Sequence, residues 1–163
     1  ICEMSIEECA GKGTGLNDKQ LENKISILKQ AQQNHSKPKD IYEALCFFGG
    51  FDIAQICGSM LRSFENNMLI LVDGFIASVA YLCAYQLQPG IEKNAIFCHQ
   101  SDEQGHIKLL EYLKVKPLIN IGMRLGEGTG CAVAFPIIQS AVNFMNEMAS
   151  FESAQISNKS DFE

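Results

Sequence analysis

The first part of the chain shows apolar residues at the spacing of helices. After an irregular, glycine-containing segment over residues 1–16, Asn17 or Asp18 is the candidate cap of a helix that runs to about His35. Leucine, isoleucine and alanine residues fall on one face of this helix. A polar linker follows, and Asp40 is the candidate cap of a short second helix. The pattern predicts that this part of the chain is helical.

Two glycines separate the second predicted helix from the third. Gly49-Gly50 is predicted to end the second helix in a left-handed conformation, which glycine adopts without strain. The third helix places apolar residues on one face, and polar Glu65-Asn-Asn67 ends it. These inward-facing positions are Ile53, Ile56, Cys57, Met60, Leu61 and Phe64.

Short continuous apolar runs follow, as is typical of strands that are buried on both faces. Met68–Val72 predicts a first strand, Asp73-Gly74 a turn, Phe75–Leu87 an apolar helix, and Ala95–Cys98 the next strand. A strand, a helix and a strand with tight connections predict a right-handed parallel crossover. The sequence therefore predicts an α/β fold: a Rossmann-like parallel sheet with helices on both faces.

Polar side chains follow the predicted strands. Ser101 and Gln104 match a capping box for the next helix. Ligands of parallel sheets collect beyond the carboxyl ends of the strands, so Asp73, His99 and Ser101 are predicted to lie on that rim. Asp73 is equally well explained by the turn that it makes with Gly74.

A glycine-rich motif, Arg124-Leu-Gly-Glu-Gly-Thr-Gly130, precedes a last helix that is predicted from about Gly130 to Phe151. Gly126 and Gly128 let the backbone come close to a bound molecule, because they carry no Cβ. Glu127 lies between them at a helix start and is a candidate general base. The alternative interpretation is that Glu127 only complements the helix dipole.

Composition narrows the classes of protein. The 163 residues suit one domain, which we assign to residues 1–156 with a polar tail over 157–163. A net charge of −6 gives no electrostatic footprint for nucleic acid, and no apolar run has the length of a membrane span. We see no signal peptide at the start. Seven cysteines without a C-x-x-C pair indicate reduced thiols and predict a cytoplasmic protein.

Several motifs agree in order and spacing with one known family. They are Gly13-Thr-Gly-Leu16 followed by Asn23-Lys24, Gly49-Gly-Phe-Asp52, Leu71-Val-Asp-Gly-Phe75, His99-Gln-Ser101 with Glu103 and Gly105-His106, Arg124-Leu-Gly-Glu-Gly-Thr-Gly130, and Asn146-Glu-Met148. On these motifs the chain resembles the nicotinate-nucleotide:dimethylbenzimidazole phosphoribosyltransferases, which make the lower-ligand nucleotide of cobalamin. The resemblance extends from about Gly11 to Ile156.

The resemblance implies a pentosyltransferase. A benzimidazole nitrogen attacks C1′ of nicotinate mononucleotide, nicotinate leaves, and α-ribazole phosphate forms. Glu127 matches the family's catalytic carboxylate, which takes the proton from the second ring nitrogen. The pyridinium leaving group is already activated, so the chemistry requires no metal and no cofactor. The family also implies a homodimer, and the partners that it implies are small-molecule substrates, with no nucleic acid and no membrane.

Further site residues are implied by position in the motifs. Glu3 and Met4 resemble the acid and the base-pocket residue of the family's Gly-Glu-Met segment. Lys24, which by itself is typical of a solvated helix lysine, matches an active-site lysine near the nucleotide. Asp73 and Ser101 match positions that line the same cleft.

One departure from the family concerns the phosphate loop. The family continues after Gly-Glu-Met with Gly-Ile-Gly-Asn-Thr-Thr, whereas this chain continues with Ser5-Ile-Glu-Glu-Cys9 and reaches Gly11 soon afterwards. Glu7 and Glu8 would repel a phosphate at that place. The loop and the family's large N-terminal portion are therefore expected to be missing. Two alternative functions follow: a relative that binds a base or nucleotide without turnover, or a fragment that serves only as an interaction or structural piece.

Overall fold

The computed structural model describes residues 1–13, 15–123 and 126–157. In these ranges four helices come first, and strands and helices are interspersed from residue 70 onward. The helices are α1 (Ile6–Cys9), α2 (Asp18–Gln33), α3 (Ile41–Phe48), α4 (Phe51–Glu65), α5 (Phe75–Leu87), α6 (Gln104–Leu113) and α7 (Thr129–Glu147), with a 3₁₀ helix at Pro89–Asn94. The strands are β1 (Ile70–Val72), β2 (Ala95–Phe97), β3 (His99–Ser101) and β4 (Ile119–Met123).

All observed strand pairs are parallel. Strand β1 pairs with β2, and β3 pairs with β4. Cys98 separates β2 from β3, and its backbone is hydrogen-bonded to a strand segment on each side. Its N–H donates to the carbonyl of Val72 (2.8 Å), and its carbonyl accepts from Ile119 N–H (3.0 Å). Residues 95–101 therefore run as one extended segment between β1 and β4. The predicted parallel α/β fold is confirmed.

Strands β1 and β2 pack on both of their faces, against different helices. Ile70, Val72 and Phe97 join the larger apolar cluster with residues of α4, α5 and α6. Their strand neighbours point to the opposite face, where Cys98 packs in a second cluster with Ala134 and Ile138 of α7. This twofold alternation explains why the strands read as uninterrupted apolar runs.

Most of the predicted elements are confirmed, with small shifts at their ends. Helix α5 spans the predicted residues, and the side chain of Asn17 caps α2 by accepting from Gln20 N–H. Asp40 caps α3 in the same way. Helix α7 ends at Glu147, four residues before the predicted end. Short α1 and strand β4 were not predicted.

Two sequence predictions about helix ends are wrong. Gly49 ends α3 in an extended conformation (φ −78°, ψ 142°) rather than a left-handed one. Ser101 does not cap α6; it lies in β3, and Glu103 occupies the cap position without a side-chain capping bond. Ser101 has another partner, His106, and this buried bond replaces the capping box.

None of the helices in the described ranges is long and apolar enough to cross a membrane. Of the predicted polar tail, residues 158–163 lie outside the described residues, as do Thr14, Arg124 and Leu125 of the family motifs.

Candidate active site

Asp73 joins the end of β1 to the start of α7. Its Oδ2 accepts a hydrogen bond from Gly128 N–H, and its Oδ1 accepts one from Cys131 N–H, both at 3.1 Å. The carboxylate thus supplies the acceptor that the first amides of a helix lack, and its charge complements the helix dipole. The sequence predicted Asp73 on the rim of the sheet. It could not predict the two hydrogen-bond partners, because they lie 55 and 58 residues away in the chain.

Glu127 is exposed and adopts a left-handed backbone conformation, with φ at 62°. For a non-glycine residue this conformation costs about 1 kcal/mol, so the surrounding structure must maintain it. Gly128 follows at φ 80°, and a Cβ built on Gly126 or Gly128 would meet no atom of the described residues within 4 Å. Thr129 Oγ1 donates to the carbonyl of Gly126 (2.7 Å) and closes the turn.

The carboxylate of Glu127 has no hydrogen bond or ion pair with another residue of the described ranges. The open space beside Gly126 and Gly128 leaves room for a bound molecule next to this free carboxylate. The geometry therefore provides an accessible proton acceptor on a helix start that is anchored to the sheet.

His99 is buried behind Asp73, although the sequence predicted it on the rim. Its side chain is 1% exposed, and Nδ1 lies 3.8 Å from Asp73 Oδ1, too far for a hydrogen bond. Within the described part of the chain neither ring nitrogen has a hydrogen-bond partner. The ring packs against Gly130 and Gly74, where a Cβ would collide with or crowd it.

Ser101 is held in a second buried group. Its backbone N–H donates to His106 Nδ1 (3.1 Å), and its Oγ lies 2.9 Å from the same nitrogen. His106 Nε2 therefore carries the proton of the neutral ring and faces Ser78 Oγ at 3.0 Å. Burial, helped by the nearby His99, lowers the pKa of His106 to about 4. The sequence did not predict this role of His106, because the spacing gives no sign that α6 and β3 meet there.

Lys24 and Glu3 both have partners within the protein. Lys24 Nζ donates to the carbonyl of Gly11 (3.0 Å). Gly11 in turn packs closely against Glu103, since a Cβ on Gly11 would overlap the Glu103 carboxylate. Lys24 is thus connected through Gly11 to the start of α6, which follows β3. Glu3 is exposed and pairs with Lys37 at 3.1 Å. Among the described residues, no hydrogen bond or ion pair joins Lys24 or Glu3 to Asp73 or Glu127.

The segment that follows Met4 is helical. Ser5 and Glu8 form the capping box of α1. Glu7 pairs with Lys29 and Glu8 pairs with Lys108, whose ammonium, together with Ser5, lowers the pKa of Glu8 to about 2. Met4, the predicted base-pocket residue, is half-buried just before this helix. Within the described ranges no group of three His, Cys, Asp or Glu side chains could hold a metal ion.

The chain is thus a parallel α/β domain, a class that binds ligands beyond the carboxyl ends of its strands. Near this end of the sheet it carries an exposed carboxylate, Glu127, on a helix start between two glycines. The model of the DBI_PRT family, described as phosphoribosyltransferase, matches residues 1–156, and the chain belongs to this family. The resemblance inferred from the motifs is thereby confirmed.

Curated relatives and solved structures agree with this assignment. The chain is 48% identical over 160 residues to the nicotinate-nucleotide–dimethylbenzimidazole phosphoribosyltransferase of Shewanella putrefaciens, covering 96% of this chain and 45% of the relative. It is 47% identical to the protein of the same name from Photobacterium profundum, covering 96% and 46%. The crystal structure of CobT from Thermus thermophilus superposes with a TM-score of 0.88 at 30% identity, covering 95% and 46%. The chain thus spans about half the length of the relatives that it matches.

Proposed function

We propose that the chain carries the catalytic carboxylate of an enzyme that transfers the phosphoribosyl group of nicotinate mononucleotide to dimethylbenzimidazole or a similar azole. The product would be α-ribazole phosphate, a precursor of the nucleotide loop of cobalamin. The observation that carries the proposal is the free carboxylate of Glu127 on the helix start that Asp73 anchors. The names of relatives that are 47 to 48% identical support the choice of substrates.

The proposed step is a displacement at C1′ of the ribose. One ring nitrogen of the azole forms a bond to C1′ while the bond from C1′ to the nicotinate nitrogen breaks, and its electron pair returns to the pyridine ring. The second ring nitrogen loses its proton to Glu127. The protein therefore has to align two substrates and accept one proton.

Other residues are assigned to substrate binding as part of the same proposal. Lys24 has three N–H donors, one of which is used on Gly11, so its ammonium can hold the phosphate as a point charge. Glu3 and Met4 contribute to the base pocket, while Asp73 and Ser101 border the cleft behind the groups that contact the substrates. Gly126 and Gly128 permit close approach of the substrates to the backbone.

The proposal includes a homodimer in the cytoplasm. Helix α7 exposes apolar side chains next to a groove that Leu69, Leu118 and Ile137 help to line. Large exposed apolar surfaces are typical of interaction sites, and we assign this one to a second copy. Seven cysteines that are free in the structure suit a reducing compartment.

Nicotinate release from nicotinate mononucleotide and dimethylbenzimidazole, followed by chromatography, tests the function. Glu127→Gln should lower kcat by about 10² to 10⁴, the range for loss of a general base. Glu147→Gln, at the exposed end of the same helix, removes an equal charge and should leave kcat unchanged. Turnover that is equal in Glu127→Gln and the wild type would show that another group accepts the proton.

One competing function is binding without turnover. It applies if Glu7 and Glu8 stand in place of the phosphate loop, as the motif comparison led us to expect; in the structure both carboxylates pair with lysines, Lys29 and Lys108. Weak phosphate binding would leave the base site intact. Calorimetry with dimethylbenzimidazole alone would then show binding, while no nicotinate would be released.

A further inference from the structure

Asp73 holds the start of α7 at two points. Its two oxygens accept from Gly128 N–H and from Cys131 N–H, each at 3.1 Å. These amides lie three residues apart in the first turn, so the two bonds fix both the position of the helix start and its rotation. Gly128 directly follows Glu127, and no other residue of the described ranges binds the Gly128 amide through a side chain.

The carboxylate of Asp73 lies between the sheet and α7. The buried ring of His99 lies behind it, with Nδ1 at 3.8 Å from Oδ1. Gly130 of α7 lies against both groups: a Cβ there would overlap the His99 ring and come within 2.6 Å of Asp73 Oδ1. The side chain of Asp73 is only 16% exposed. It therefore has little room to turn towards a substrate.

Glu127 depends on an external anchor. Its left-handed backbone is unfavourable by itself, and its side chain makes no hydrogen bond or ion pair with another described residue. A carboxylate that already accepts two amide hydrogen bonds is also a poor site for a negatively charged phosphate, which it would repel. The geometry therefore favours an indirect role for Asp73.

We propose that Asp73 is a positioning residue, which acts on the reaction by fixing the backbone of Glu127 rather than by contacting the transferred group. The inference rests on the proposed function. A residue that binds substrate directly would mainly change KM, whereas a residue that aligns the proton acceptor changes kcat.

The kinetic test compares Asp73→Asn with Asp40→Asn in the protein as its gene encodes it. Asparagine offers one acceptor oxygen, so one of the two amides loses its partner. Asp73→Asn should lower kcat by about tenfold or more, since hydrogen bonds to charged groups are strong, while KM for both substrates stays within about twofold. Asp40→Asn, in the cap of α3, makes the same chemical change away from the site and should leave kcat unchanged.

A double-mutant cycle separates indirect from direct action. If Asp73 works through Glu127, adding Asp73→Asn to Glu127→Gln should lower kcat by less than about twofold further. Additive losses, or a raised KM with kcat unchanged, would overturn the inference. Asp73→Glu keeps the charge and both acceptors but displaces them by one methylene, and it should also lower kcat.

Amide hydrogen exchange of residues 126–132, without substrate, gives a readout that does not depend on turnover. Asp73→Asn should speed exchange there by about tenfold or more and leave α3 unchanged. Unchanged exchange would reject the anchoring role, whatever the activity. If the wild type releases no nicotinate but Asp73→Asn still speeds exchange, the proposed function is rejected and the anchoring role of Asp73 is kept.

Discussion

At the residue scale, His106 couples stability to pH. It is 0% exposed, bonded as a neutral ring between Ser101 and Ser78, and its pKa falls from the usual 6.5 to about 4. Between these pH values the unfolded chain binds a proton that the folded chain does not. The stability that comes from the neutral ring is therefore complete above pH 6.5 and is lost as the pH falls towards 4, by about 3 kcal/mol.

Urea unfolding at about pH 7 and about pH 4.5 measures this loss. His106→Gln should be less stable at neutral pH, because it loses part of the buried network, but its stability should decline less on acidification. An equal decline in His106→Gln and the wild type would show that other groups cause the pH dependence.

The candidate site was only partly predictable from single residues. Glu127 could be found because the glycines on both sides and the following helix are adjacent in the sequence. The burial of His99 and the two amide partners of Asp73 could not, since they depend on how α7 packs against the end of β1. Ser101 was read as a cap from its local spacing, but the buried nitrogen of His106 is its partner.

At the scale of elements, the close approach of α7 to the sheet requires glycine at position 130. A Cβ there would overlap His99 Nδ1 and stand 2.6 Å from Asp73 Oδ1. Gly130→Ala should therefore destabilise the fold by about 1 to 3 kcal/mol, the usual cost of overpacking. The helix start would move away from the sheet, so we also expect kcat to fall.

Gly58→Ala is the matched control for Gly130→Ala. Gly58 is exposed inside α4, and a Cβ there would meet no atom within 4 Å. Alanine should stabilise that helix by about 0.5 to 1 kcal/mol. Thermal unfolding of both variants gives the comparison. A Gly130→Ala variant that is as stable as the wild type, or is stabilised as Gly58→Ala is, would show that Gly130 is not tightly packed.

The sequence predicted the elements with strong periodicity or clear caps. Helix α5 has the predicted bounds, and the caps of α2 and α3 are the predicted residues. Strand β4 was missed because its residues are mostly exposed and include Gly122, so that no continuous apolar run marks it. The end of α3 was mispredicted because Gly49 can adopt extended as well as left-handed conformations.

At the scale of the whole molecule, the sequence predicted the parallel sheet, because the strand, helix and strand around α5 follow one another directly. The second cluster, on the α7 face, is much smaller than the first. The outer side of α7 therefore remains apolar and exposed. Among its exposed side chains are Ile137, Val142 and Met145.

The exposed apolar face of α7 leads to a prediction about self-association. Met145 is 83% exposed beside the groove between α7 and the strands, so it would be buried in the proposed homodimer. Met145→Glu places a charge in that interface and should shift the protein towards monomer in sedimentation velocity. Gln139→Glu, exposed on the same helix, changes the net charge equally and should sediment like the wild type. If both variants sediment alike, this face does not join two copies, because a charge buried without a partner would have separated them.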